Sequence, residues 1–182
     1  MSNLEKIKDL SWQDVFEIWR KSEEPLEHWQ KVWKEKGFAS WEAWRQATHA
    51  NLCGQELSWA LYKIENPLEE IPNWRGGMFH AWAKWFYPVL PEQPPRLKDL
   101  LEHPGVNNHW YVREILNNFP SETTITAIRL KSGDTVVVEG MHRCCAIAMA
   151  AHNKTPIKTN LTVALADWLH DEPPLLGMGW NR

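Results

Sequence analysis

Glu139, Gly140, Met141, His142 and Arg143 are consecutive, and four of them bring different chemical abilities. A carboxylate at Glu139 can ligate a metal ion or accept a proton. Gly140 lacks a Cβ, so its backbone can take a positive φ and admit a close neighbour. His142 can donate, accept or shuttle a proton near neutral pH. Arg143 can grip a phosphate with two parallel N–H donors. These types suit phosphate chemistry. Glu139 and His142 are the candidate catalytic residues, Glu139 the candidate metal ligand, and Gly140, Met141, His142 and Arg143 the candidate cofactor-binding residues.

The flanking sequence says what must position them. Val136, Val137 and Val138 are β-branched and unbroken by polar residues, which predicts a strand buried on both faces. A second strand is expected over residues 124–130, with Lys131-Ser132-Gly133-Asp134 as the hairpin turn. From Met141 the chain is rich in Ala, Cys and Met, which predicts a closely packed helix to about His152, with Asn153 as its stop. A strand that turns at Gly140 into a helix presents unpaired N–H groups at the positive end of the helix dipole, an anion site. A cation in the first turn opposes that dipole, so Arg143 needs a partner. A bound anion would serve, and so would a salt bridge to Glu139 or Asp134.

The string Glu139-Gly140-Met141-His142-Arg143-Cys144-Cys145-Ala146 resembles the phosphate-binding motif of the ParB/sulfiredoxin-like superfamily. ParB proteins carry a Gly-x-Arg-Arg-x-x-Ala type string at this point, sulfiredoxins Gly-Cys-His-Arg, and related free-serine kinases Asp-Gly-His-His-Arg. Gly140, His142, Arg143 and Ala146 match by position, and Glu139 stands where the kinases have Asp. The resemblance covers residues 95–167. It implies a compact α/β fold that binds ATP, CTP or a similar nucleotide through its phosphates. Met141 stands where sulfiredoxins carry their reactive Cys, and a thioether cannot be that nucleophile. ParB proteins continue into a helix-turn-helix; too few residues follow position 167 for one, so DNA partitioning is not expected.

Composition bounds the rest. A net charge of −3 excludes a general polyanion-binding surface. Acidic residues outnumber basic ones within residues 1–65, which argues against a nucleic-acid arm. No apolar run reaches the ~20 residues that span a bilayer, and the first residues do not read as a signal peptide. Three cysteines make no disulfide framework, which points to a reducing, cytoplasmic setting. Cys144 and Cys145 are adjacent at a helix start, a poor geometry for ring closure. The dipole there is expected to lower the Cys144 pKa modestly, while Cys145 packs inward.

Tryptophan is abundant: 13 in all, ten of them within the first 85 residues, so the rings need a core, a partner or a ligand. Ser11 and Asp14 read as a capping box before a helix carrying Trp12, Phe16 and Trp19. Leu26, Trp29 and Trp33 mark a second helix between Pro25 and Gly37, and Trp41, Trp44 and Thr48 a third beginning at Ser40. Cys53, Leu57, Ala60, Leu61 and Ile64 suggest a fourth. The stripes are read first as packing between these helices, and second as a docking surface for a protein partner.

Residues 66–95 are punctuated by proline and glycine, among them Pro67, Pro72, Gly76, Gly77, Pro88 and Pro91, with a helix between Met78 and Phe86. The turn at 73–77 packs locally, or offers Trp74 to stack on a base. A short helix is expected over 96–102 and another from a cap at Asn107 or Asn108 to about Asn118. His103 and His109 read as surface or capping residues. Residues 155–165 read as a strand and the remainder as an irregular tail.

The expected fold class is α+β, a Trp-rich helical N-terminal region followed by a small ParB/sulfiredoxin-like α/β unit. The divisions fall at 1–65 (helical), 66–95 (connecting), 96–167 (ParB/sulfiredoxin-like) and 168–182 (tail). The expected function is binding of a nucleotide or other phosphate-bearing ligand, ATP or CTP with Mg2+, extending to phosphotransfer or hydrolysis. The alternative is a non-catalytic interaction module that uses the Trp-rich helices.

Overall fold

Near-continuous apolar runs along the central strands give this molecule a sheet with two apolar faces, and helices cover both. The computed structural model describes residues 4–87 and 93–178. The first three residues, Pro88 and Pro91 of the connecting stretch, and the last four residues of the tail lie outside them. In chain order the elements are β1 (Leu4–Leu10), α1 (Trp12–Glu23), α2 (Glu27–Glu35), α3 (Trp41–Thr48), β2 (Trp59–Ile64), α4 (Pro67–Glu70), α5 (His80–Phe86), α6 (Leu97–Leu100), α7 (Pro104–Asn107), α8 (Trp110–Asn117), β3 (Glu122–Arg129), β4 (Thr135–Glu139), α9 (Met141–Asn153) and β5 (Asn160–Asp167). The chain is α+β.

The strands form one mixed five-stranded sheet in the order β1-β2-β5-β3-β4. β3 and β4 are the expected hairpin, with Ile128 opposite Val136 and Thr126 opposite Glu139. β5 runs parallel to β3, and the other pairings are antiparallel. The outer edge of β4 is covered by Arg75, whose N–H donates to the Thr135 carbonyl (2.8 Å) and whose carbonyl accepts from the Val137 N–H (3.1 Å). That pairing removes an open strand edge.

One face carries Ile125, Ala127, Val137, Leu161, Val163 and Leu165, packed against α9. Residues 144–150 of α9 are all buried, which its small side chains permit. The other face carries Trp59, Ile128, Val136, Val138, Ala164 and Ala166, covered by Val15, Trp19, Trp41 and Trp44. Trp12 sits edge-on to Trp19 at 5.3 Å between ring centroids, and Phe16 meets Trp41 at 5.2 Å. Two of the buried indoles have firm hydrogen-bond partners, whereas Trp33 Nε1 is buried without one among the described residues. Trp19 Nε1 donates to Thr126 Oγ1 (2.6 Å) and Trp59 Nε1 to the Gly54 carbonyl (2.7 Å). The aromatic stripes therefore pack helices onto a sheet.

The Ser11 box is present. Asp14 N–H donates to Ser11 Oγ (3.1 Å), and the Asp14 carboxylate accepts from Ser11 N–H (2.8 Å). The expected fourth helix is not. Cys53 takes a left-handed φ of +47° between two 3-10 turns, and the chain then enters β2 between β1 and β5. Short apolar runs cannot distinguish a helix from a buried strand. β1 was unforeseen because it is a charged edge strand with little burial to pattern it. β5 starts at Asn160 rather than near 155, since Pro156 has no N–H for a ladder. α8 begins at Trp110, with His109 rather than Asn107 or Asn108 in the cap position. Among the described residues no helix is long and apolar enough to cross a membrane.

Candidate functional site

The strand-turn-helix corner forms as its residue types require. Gly140 has φ +96°, and a Cβ there would lie 3.2 Å from the Arg143 guanidinium and 3.4 Å from Ile125. The backbone angle demands glycine, and a Cβ would in addition press lightly on the guanidinium. The Cys144 N–H returns to the Gly140 carbonyl at 2.9 Å. The amides of Met141, His142 and Arg143 precede it in the first turn, where a helix offers no internal acceptor. Among the described residues no side chain caps this end.

Arg143 finds its partner in Glu139. Its Nη2 lies 2.5 and 2.6 Å from the two Glu139 oxygens, and its Nη1 donates to Thr123 Oγ1 (2.5 Å) and the Thr124 carbonyl (3.0 Å). Asp134 is engaged elsewhere, by Arg75 at 2.9 Å and Arg96 at 3.1 Å. Burial pushes the Glu139 carboxyl up, and the guanidinium pulls it back. The pair is a tie that holds the turn against β3. Glu139 is thus neither a free base nor an open metal ligand, and Arg143 is not a free clamp. A hard divalent ion needs several oxygen ligands. Here the corner's own carboxylate, Glu139, is already paired with a guanidinium, and no group of three or more His, Cys, Asp or Glu side chains suited to a metal occurs among the described residues. The carboxylate expected to hold Mg2+, Glu139, is held by Arg143 instead.

The corner opens onto a cavity of about 840 Å3. Val138, Glu139, Gly140, Met141, His142 and Arg143 line one side of it. Trp29, Trp44, Arg45 and His49 line it from the Trp-rich layer, and Trp82, Trp85, Phe86, His109 and Tyr111 complete it. A second ion pair sits in this wall. Arg45 Nε donates to Glu23 Oε2 at 2.6 Å, its Nη2 donates to Oε1, and the Trp41 indole donates to Oε2 at 3.1 Å. The Arg45 guanidinium lies 4.0 Å from the Trp44 ring centroid, a cation–π contact.

His142 is wrapped by rings, with centroids at 4.9 Å to His109, 5.1 Å to Tyr111 and 5.3 Å to Trp82. Burial, then the neighbouring His109, His28 and Arg143, hold its pKa down at about 3. Burial also lowers His109, and it brings His49 to about 3. These imidazoles are neutral at neutral pH. His109 Nδ1 is buried without a hydrogen-bond partner among the described residues.

The structure brings Glu139, Gly140, Met141, His142 and Arg143 to one cavity but ties two of them to each other. His103 caps α7, its Nδ1 accepting from Gly105 N–H at 3.0 Å, and His109 stands in the N-cap position of α8, from which it also lines the cavity. Trp74 is buried, its Nε1 3.5 Å from Glu70, and does not reach the cavity. Its loop backs α9 through a Gly77 N–H to Met141 Sδ contact of 3.2 Å. Cys144 and Cys145 are both fully buried free thiols. Burial raises the Cys144 pKa, outweighing the expected lowering at a helix start, and raises Cys145 to about 12.

Glu23, Trp29, Trp44, Arg45, His109 and Tyr111 were not legible as site residues. Glu23 and Arg45 stand 22 residues apart, so no local spacing links them. The one available signal was the surplus of tryptophan. Compared with family models, with curated proteins and with solved structures, the chain matches none.

Proposed function

We propose that this protein binds a small phosphate-bearing molecule with a flat body, of the nucleotide class, in the cavity at the head of α9. One observation carries the reading. The uncapped first turn of a 13-residue helix and a set of aromatic rings line the same cavity. The phosphate would take the amides of residues 141–143, where the helix dipole favours an anion. Trp29 and Trp85, which are not buried, offer faces on which a base would stack, with Trp44 and Trp82 packed behind them in the wall. The motif's likeness to the ParB/sulfiredoxin-like superfamily supports the same placement. On this reading residues 96–167 are the ParB/sulfiredoxin-like unit, extended by strands from the N-terminal part.

Glu139 and Arg143 shape the turn and do not act on the phosphate. Binding is therefore favoured over phosphotransfer or hydrolysis, and His142 is the one expected catalytic residue left to touch the ligand. A docking surface made of the N-terminal indoles is less favoured, because Trp19, Trp41, Trp44 and Trp59 are buried.

Thermal melting with AMP, CMP, ATP and CTP, each with and without Mg2+, tests the reading. At least one should stabilise the protein progressively, approaching about 2.7 kcal/mol at a hundredfold excess over Kd. No shift with any of them would overturn it.

A further inference from the structure

The cavity's charge balance narrows the ligand. Among the described residues its lining carboxylates are Glu23, Glu122 and Glu139, and its lining cations are Lys36, Arg45 and Arg143. The sum is zero. The inner charges are consumed in pairs, Glu23 with Arg45 and Glu139 with Arg143, while Lys36 and Glu122 are exposed. Uncompensated anions in an aromatic enclosure lose hydration that nothing replaces. The helix terminus supplies roughly half a positive charge. One phosphate brings about −1.5 to −2, and each further phosphate adds roughly one more charge beside two buried carboxylates. The usual remedy, a divalent ion, would find both buried carboxylates already held by arginines.

We propose that the ligand is an aromatic molecule with a single phosphate or comparable anionic group, held without a metal ion, and that di- and triphosphates are rejected. The inference rests on the binding reading above and adds the ligand's charge class to it. The two ion pairs set that limit by occupying the arginines a polyphosphate would need. Glu23 and Glu139 are in this sense specificity-determining positions.

Calorimetric titration of the full chain with AMP, ADP and ATP, and with CMP, CDP and CTP, each with and without Mg2+, reads the ranking. Affinity should fall at least about tenfold from mono- to triphosphate, the equivalent of 1.4 kcal/mol, and Mg2+ should leave the monophosphate unaffected. Glu23→Gln unmasks the Arg45 charge on the cavity wall and should narrow the gap between CTP and CMP several-fold. Tighter or Mg2+-dependent triphosphate binding would overturn the charge limit while leaving the binding reading intact. An unchanged gap in folded Glu23→Gln would overturn the role given to the pairs. No heat with any ligand, and no shift in melting, would remove the binding reading itself.

Discussion

Two buried glutamate–arginine pairs face one cavity and are built in opposite ways. Glu139 and Arg143 are four residues apart and span a single turn, and Arg143 spends its other nitrogen on Thr123 and Thr124 of the adjacent strand. Glu23 and Arg45 come from α1 and α3, meet in a two-nitrogen fork, and lean on the indoles of Trp41 and Trp44. The first pair ties a helix start to the sheet. The second ties two helices of the Trp-rich layer to each other. Buried pairs of this kind are weak stabilisers, yet they are costly to break on one side, because the partner keeps its charge without water. The cavity wall is thus fixed at two corners by charges already neutralised.

Removing one arginine at a time separates the corners. Arg143→Met leaves Glu139 buried and unpaired and also frees the Thr124 carbonyl. Chemical denaturation should show a loss of about 3–5 kcal/mol. Arg45→Met should cost less, about 2–3 kcal/mol, because Glu23 keeps the Trp41 indole as donor. Equal losses would mean that the strand tie at Thr123 and Thr124 adds nothing.

Acid should act on both corners through neutral histidines. His142 beside the first pair and His49 beside the second both have folded pKa values near 3, far below the ordinary 6.5. The unfolded chain therefore takes up protons first as pH falls. Stability is complete above about pH 6.5 and declines toward pH 3, by at most about 1.4 kcal/mol per pH unit for each histidine. Melting followed from pH 7 to 4 should show that decline, and His142→Gln should flatten its share. A flat profile in the parent protein would show that these imidazoles are not held neutral.

The smallest expected effect is at Trp85, which lines the cavity yet is 65% exposed. Trp85→Ala should change stability by no more than about 0.5 kcal/mol, while weakening binding of AMP through lost stacking worth about 1–3 kcal/mol. A melting curve beside a titration checks both halves. A large stability loss would place Trp85 in the core instead of on the ligand.

The motif corner was legible because everything that shapes it is local. Three valines, a glycine that must take φ +96° and a run of small helix formers all lie within residues 136–151. The salt bridge from Arg143 to Glu139 was also among the readable options, since four residues bring the two side chains together across a turn. The other half of the cavity was not legible. Glu23, Arg45, His109 and Tyr111 converge through packing of α1, α3 and α8, and no spacing encodes that. β2 was misread for a related reason. Its run of Trp59, Ala60, Leu61 and Tyr62 is extended by the two strands flanking it, against a pattern equally compatible with a helix. Cys144 shows the same override at one atom, where burial outweighs the dipole. Both cysteines should accordingly stay unmodified by iodoacetamide at neutral pH in the folded protein, with Cys53 reacting; mass spectrometry of the alkylated chain checks this.

Amide NMR during titration with AMP and CMP tests most directly whether the head of α9 is a ligand site. The 15N–1H signals of Gly140, Met141, His142 and Arg143 should move saturably with one of the two, together with the indole signals of Trp29, Trp44, Trp82 and Trp85. Saturable binding that leaves these signals in place and moves others would contradict the assignment of the site.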